Sequence, residues 1–225
     1  MNNRLLNFFT ISIFLILSNI RAQEREDNAW KAIFTDYSLT ASTTLRLETH
    51  VRTRRFFTEN DQYLIRPSIQ LKWTKNTAIT AGVTYIDSNT PINRTIENNL
   101  WQQFSFSFPI NRNACFGWIR LEERWERKNQ LTNYNTRIRF RTGLQFPLTR
   151  QTKDFAPHLV VFNEIFMIIE SGFPYRLNQN WTMIGFRQKI SSNMRFISGF
   201  QRTTISKRES FLHKNIWSTI VFYRL

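Results

Sequence analysis

The segment Leu45–Arg54 reads Leu-Arg-Leu-Glu-Thr-His-Val-Arg-Thr-Arg, and its side chains alternate in character at every position. One parity holds leucine, valine and threonine, and the other holds arginine, glutamate and histidine. Because successive side chains of a strand point to opposite faces, a strand here has one largely apolar face and one ionic face. A soluble sheet would turn its ionic face to water, but an exported chain that repeats this pattern is typical of a membrane barrel with its charges inside.

The N-terminal segment has the pattern of an export signal. Arg4 precedes the apolar run Leu5–Leu17, and Ala22 offers a cleavage point. This run is too short for a helix that spans a bilayer but fits the core of a signal peptide; the alternative is an uncleaved anchor. We therefore predict a signal peptide over residues 1–22, one barrel domain over residues 23–225 and export to the outer membrane. Removal of the signal would lower the formal net charge from +15 to +13.

The alternation recurs in eleven segments of the chain, and no segment has the pattern of an amphipathic helix. Single-chain bacterial barrels have an even number of strands, so we expect one strand more than the pattern resolves. The sequence thus predicts an all-β, antiparallel, up-and-down transmembrane β-barrel of ten to twelve strands, with twelve favoured, around a polar and charged lumen. We also expect short turns at one end of the barrel and longer polar loops at the other.

Aromatic residues lie near the predicted ends of the outward strand faces. Tyr63 and Trp73 are ten positions apart on one parity, a strand length of ~33 Å. At the usual tilt this length spans about 25 Å, the height of the apolar band of an outer-membrane barrel. The alternative is a soluble secreted β-sandwich that binds a ligand, with these rings in its core. The residues that we assign to an aromatic girdle are Tyr63, Trp73, Tyr85, Trp125, Tyr134 and Tyr223.

The chain is strongly basic, with a pI near 10.7. Its basic residues alternate with apolar ones along strands and form no exposed arm, so we do not expect nucleic-acid binding. We expect opposite charges to pair across neighbouring strands in the lumen, with a surplus of arginine that favours anions and lipopolysaccharide phosphates. The residues of this predicted charge network are Arg46, Glu48, Arg52, Arg120, Glu122, Arg124, Glu126, Arg137, Arg139, Arg141 and Glu164.

The last segment adds a targeting feature. From Trp217 to Leu225 it alternates apolar positions and ends in Tyr-Arg-Leu. This pattern resembles the C-terminal signal that the outer-membrane assembly machinery reads. The expected partners are therefore that machinery during biogenesis, and outer-membrane lipid and lipopolysaccharide afterwards. The single Cys115 excludes an intramolecular disulfide.

The sequence offers little for catalysis. The histidines lie on separate predicted strands without metal-ligand spacing, and no phosphate-binding glycine loop is present, so we assign no catalytic, metal or cofactor residues. The nearest candidate for a nucleophilic site is His213 with Ser210 and Glu209, and nearness in sequence alone is weak support for a triad.

Five short motifs follow one another along the chain: Trp101–Gln103, Arg120–Trp125, Arg137–Arg141, Asn163–Phe166 and Asn178–Asn180. Their order and spacing resemble those of an uncharacterised family of Gram-negative outer-membrane β-barrels, which carries a domain-of-unknown-function label. The resemblance implies a single-domain barrel over nearly the whole mature chain and implies no activity, substrate or catalytic residue.

The sequence therefore favours a nonenzymatic outer-membrane barrel, either a narrow anion-leaning pore or a structural component of the envelope. The alternatives are a barrel enzyme that acts on lipid and the soluble sandwich. The sequence makes no prediction of the oligomeric state.

Overall fold

A computed structural model describes residues 25–89, 93–149, 155–169, 176–207 and 210–225. The expected signal peptide lies outside these residues. The described chain is all-β and contains no helix that is long and apolar enough to cross a membrane. The strands are β1 (Arg25–Ser38), β2 (Thr43–Arg54), β3 (Glu59–Lys72), β4 (Thr77–Asn89), β5 (Arg94–Ile110), β6 (Asn113–Lys128), β7 (Leu131–Pro147), β8 (His158–Ile169), β9 (Arg176–Lys189), β10 (Met194–Ser206) and β11 (Phe211–Arg224).

All eleven strands form one closed barrel in chain order, and β1 pairs with β11 to complete it. The neighbours along the chain are antiparallel, but β1 and β11 are parallel, with Ile33 beside Val221. The prediction of an all-β barrel of ten to twelve strands is confirmed by these eleven strands, but the favoured number of twelve was wrong, and the sheet is antiparallel only up to the β1–β11 pair. An odd number of strands leaves the first and last running in the same direction, and a parallel pair still closes the sheet. The sandwich alternative was also wrong, because there is a single sheet.

The barrel has two mouths, which we name after the chain ends that lie there. β1 begins at the N-terminal mouth, and β11 ends at the C-terminal mouth. At each mouth, four of the five connections have two or four residues. The longer ones are the ten residues between the ends of β7 and β8, which lie at the C-terminal mouth, and the six residues between the ends of β8 and β9, which lie at the N-terminal mouth. The expected division into a side of short turns and a side of long loops is therefore wrong.

The alternation of the sequence becomes the two faces of the wall. On β2, Leu45, Leu47 and Val51 are exposed on the outside, whereas Glu48 between them is buried inside. The neighbouring strands repeat this arrangement, because a pleated strand turns every second side chain to the same face. The outer wall of β3 and β4 consists largely of exposed Tyr63, Ile65, Ile69, Leu71, Ile79, Val83 and Tyr85.

One row of polar side chains interrupts the apolar outer wall. Its five members are neighbours across four consecutive strand pairs of the sheet, from β8 through β11 to β1. The Asn163 side-chain amide donates to Thr182 Oγ1 at 2.9 Å, and that of Asn215 donates to Asp27 Oδ1 at 2.9 Å. Hydrogen bonds within the row thus give some of its polar side chains a partner. The row consists of Asn163, Thr182, Arg202, Asn215 and Asp27.

The parallel closure is testable by cross-linking. In a Cys115→Ser background, Ile33→Cys with Val221→Cys should form a disulfide on oxidation, because the two positions are directly paired. The cross-linked chain should migrate differently in a denaturing gel without reductant. Its free energy of unfolding should rise by about 5 kcal/mol, because the cross-link lowers the entropy of the unfolded chain.

Ile33→Cys with Trp217→Cys is the matched control, because Trp217 pairs with Ala29 instead. Its two thiols would be separated by ~13 Å along the strand. Equal cross-linking of both pairs, or none in the first, would contradict the closure.

Candidate functional site in the barrel interior

A ladder of ion pairs crosses the middle of the interior. The three arginines of β7 lie between Glu122 on β6 and Glu164 on β8. Arg137 Nε donates to Glu122 Oε2 at 2.6 Å, and Arg139 Nη1 donates to Glu122 Oε1 at 2.8 Å. Arg139 Nε reaches Glu164 Oε1 at 2.7 Å, and Arg141 Nε reaches Glu164 Oε2 at 2.8 Å. Each carboxylate therefore holds two arginines, and Arg139 joins the two carboxylates.

Both carboxylates of the ladder are inaccessible to solvent. An ion buried in this way is costly unless its partners sit in good geometry and fill its hydrogen-bonding sites. The ladder meets that condition through charge-assisted bonds from two sides. It also fixes β6, β7 and β8 relative to one another through their inward side chains.

The interior between the ladder and the N-terminal mouth is filled. Arg124 lies between Glu97, with donor–acceptor distances of 2.8 and 2.6 Å, and Asn135 at 2.9 Å. Glu126 contacts Arg124 rather than the arginines of β7 that face its strand. The buried apolar side chains of this half are Leu64, Ile86, Phe166, Ile168 and Ile216. These groups close the described interior on this side.

A cavity of about 560 Å³ occupies the other half of the interior. It extends from Thr74 and Asn76, in the turn after β3 at the C-terminal mouth, to Trp181 in the middle of β9. Among the described residues, nine lining side chains are arginine or lysine, and Glu48 supplies the one carboxylate. The cationic lining residues are Arg46, Arg52, Arg66, Lys72, Lys75, Arg120, Arg139, Arg141 and Arg195.

Several of these cations are already neutralised. Arg46 forms a two-point pair with Asp36, at 2.6 and 2.8 Å, and Arg66 Nη1 donates to Glu48 Oε2 at 2.9 Å. Arg139 and Arg141 belong to the ladder. The positive charge of these four arginines is therefore already balanced by acidic side chains of the barrel.

Arg52 and Arg120 are held differently, by neutral amides. Arg52 Nη1 donates to Gln62 Oε1 at 2.5 Å, while both Nε and Nη2 of Arg120 donate to Gln103 Oε1, at 2.9 and 2.7 Å. The closest carboxylate oxygen to Arg120 is Glu122 Oε1, 3.7 Å from Nη1, which exceeds a hydrogen-bond distance. An amide oxygen fixes a guanidinium in place but does not neutralise it.

Tryptophan faces position the same two arginines. The Arg52 guanidinium carbon lies 4.1 Å from the ring centre of Trp30, and that of Arg120 lies 4.1 Å from the ring centre of Trp101. Trp101 packs on Gly82 of β4 so closely that a Cβ atom there would come within 2.6 Å of the ring. Glycine at this position thus makes room for the ring that supports Arg120.

The structure places every residue of the predicted charge network on the inner face and all six girdle aromatics on the outside. Tyr63, Tyr85, Trp125 and Tyr134 lie towards the N-terminal mouth, and Trp73 and Tyr223 lie at the C-terminal mouth. Sequence reasoning left Asp36, Arg66, Gln62 and Gln103 out of the network. Asp36 could have been found from the short β1–β2 turn, which sets Asp36 opposite Arg46. The two glutamines carry no such signal.

The candidate nucleophilic site is not assembled among the described residues. His213 points outward, and its Nδ1 lies 3.0 Å from Thr204 Oγ1. Glu209 lies outside the described residues. His50 is inside the barrel, with Nε2 3.5 Å from Glu48 Oε2, and His158 lies at the start of β8. The described chain holds no cluster of three or more acidic, histidine or cysteine side chains that could bind a metal ion.

Comparison with known proteins identifies a family. A family model described as "Protein of unknown function (DUF2490)" matches residues 27–210, from β1 to the end of the connection before β11. No curated protein and no solved structure matches the chain.

The ladder predicts that Arg139 contributes strongly to stability. Arg139→Ala would leave Glu122 and Glu164 each with a single arginine of β7 in a buried site, which should cost about 3–5 kcal/mol of unfolding free energy. Denaturant unfolding of the refolded barrel, followed by tryptophan fluorescence, measures this loss. Arg94→Ala is the control, because the Arg94–Asp87 pair has an exposed arginine and should contribute little. Similar small losses in both variants would show that the ladder does not support the fold.

Proposed function

The chain belongs to the DUF2490 family of proteins of unknown function, and we propose that it is an integral outer-membrane β-barrel that serves the envelope without enzymatic activity. The observation that carries this proposal is the combination of a closed barrel, an outer wall rich in exposed apolar side chains and an interior of buried ion pairs. This is the reverse of a soluble protein, whose charges lie outside.

Closure of the sheet supports a membrane location. A bilayer core offers no water to backbone groups, so a spanning sheet must pair every strand on both sides. The barrel has no open edge, because β1 and β11 pair with each other. Its exposed isoleucine, leucine, valine and phenylalanine side chains cover far more contiguous surface than a soluble monomer usually leaves to water.

The outward aromatics support the same location. Tyrosine and tryptophan are enriched where acyl chains meet headgroups, at both faces of a membrane. Trp125 and Tyr134 illustrate this at the N-terminal mouth, with ring centres 5.4 Å apart, and Trp73 lies at the opposite mouth with two-thirds of its surface exposed. An export signal over residues 1–22 would leave the mature chain starting just before β1.

Of the two nonenzymatic functions, the interior favours a structural component of the envelope over an open pore. The ladder and the buried side chains of the N-terminal half occupy the space that a solute would have to cross. A narrow anion-leaning pathway is the second candidate, and the cationic cavity at the C-terminal mouth is the observation that favours it.

Cell fractionation tests the location. The mature protein should be recovered in outer-membrane fractions, should need detergent for extraction and should migrate differently in a gel before and after heating. Recovery in the soluble periplasm would contradict the proposal.

Two adjacent positions of β3 provide a matched pair of variants for this experiment. Ile69 is exposed on the outer wall, whereas Gln70 faces the cavity. An arginine at position 69 should cost about 2–4 kcal/mol in a bilayer and reduce the assembled fraction. Gln70→Arg should assemble normally, because the new guanidinium would point into the cavity and away from lipid. Equal assembly of both variants would argue against lipid at the outer wall.

Planar-bilayer recording separates the two candidate functions. We expect no steady current steps from the wild-type barrel, because Glu122, Glu164 and Phe166 fill the middle of its interior. Heat-dependent migration of the same preparation would verify that the protein is folded and inserted. Reproducible anion-selective steps would instead establish the pore.

A further inference from the structure

We propose that the cavity at the C-terminal mouth is a binding site for a small molecule that carries a phosphate or diphosphate group, with Arg52 and Arg120 as its principal ligand-binding residues. This inference concerns the inside of the barrel and does not depend on what surrounds the outside. It adds a binding activity to the envelope role proposed above.

The first argument is the balance of charge. Among the described residues, nine cationic side chains line the cavity, and the acids that pair with them are Asp36, Glu48, Glu122 and Glu164. Lys72 and Lys75 are exposed to solvent, so the excess inside the cavity is carried by seven arginines. A guanidinium does not lose its proton in proteins, and this excess therefore cannot be relieved by deprotonation. Buried charges that lack a counter-charge are costly. An anion in the cavity would supply this counter-charge.

The second argument is an excess of hydrogen-bond donors. Arg52 Nε, Arg120 Nη1 and Trp101 Nε1 are buried and have no acceptor among the described residues, and the same holds for Trp30 Nε1. Arg120 and Trp101 are at least nine-tenths buried. All four side chains belong to the lining of the cavity. A group that only accepts hydrogen bonds suits such a wall, and phosphate oxygens accept strongly from arginine.

The third argument is size and access. Small-molecule sites commonly have volumes of about 300–1,000 Å³, and this cavity of about 560 Å³ falls in that range. It would hold a sugar phosphate or a diphosphate but not a folded polymer. Lys72, Lys75 and Arg195 lie around its entrance, where positive charge attracts anions from solution. The ladder closes its far end, so a bound molecule would enter and leave by the same mouth.

An isosteric substitution tests the site without removing an arginine. Gln103→Glu would place a carboxylate where Arg120 already directs two N–H groups. The new internal pair should neutralise Arg120 and keep the fold, so that the thermal unfolding midpoint is unchanged or higher. Gln62→Glu makes the same change beside Arg52 and serves as a second variant if the first does not fold.

Gln145→Glu is the matched control. Arg187 Nη1 donates to Gln145 Oε1 at 2.8 Å, and neither residue lines the cavity. The control therefore adds the same charge beside an arginine, elsewhere in the interior.

Calorimetric titration of the refolded barrel in neutral detergent, with inorganic pyrophosphate and with inorganic phosphate as probes, measures the binding. We expect wild-type protein and Gln145→Glu to bind pyrophosphate alike, and Gln103→Glu to bind at least about tenfold more weakly. Tighter binding of pyrophosphate than of phosphate would indicate the diphosphate class, and the reverse would indicate a monophosphate. Absence of wild-type binding at about 1 mM probe, or equal affinity in Gln103→Glu and the control, would overturn the proposal.

Discussion

Glu122 and Glu164 have no access to solvent, and each is held by two arginines of β7, of which Arg139 is shared by both. Because removing a carboxylate from water is costly, these side chains must keep their geometry for the barrel to be stable. The ladder of ion pairs divides the remaining interior into two halves. On one side the space is filled by further pairs and apolar side chains, and on the other a cavity remains that is lined by arginines with incomplete neutralisation.

The periodicity of the sequence predicted the faces of the strands because the side-chain period of a strand is fixed at two. It resolved eleven segments, and each overlaps one strand of the structure. The twelfth strand came from a rule about strand number, not from any residue. The ion-pair partners were harder to predict from the sequence. Parity assigns Glu126 to the inside but does not reveal that it contacts Arg124. The cavity was not predictable at all, because it depends on the relative heights of side chains from nonadjacent strands.

Glutamine has a specific place in this interior. Gln62 and Gln103 occupy positions where a glutamate would complete an ion pair, and they orient Arg52 and Arg120 without removing their charge. The aromatic faces of Trp30 and Trp101 support the same guanidinium groups. Stability alone would be served by a carboxylate at either position. The amides keep these two arginines positioned and charged, which is the state that an anionic ligand requires.

The parallel contact between β1 and β11 gives the wall of the barrel a seam. No turn connects the two strands, and parallel hydrogen bonds are slightly weaker per residue than antiparallel ones. Every other pair of neighbours is joined by a connection of the chain. Thermal unfolding of the barrel should therefore begin with separation of β1 from β11. The barrel is a single sheet of consecutive antiparallel strands that is closed by this one parallel pair.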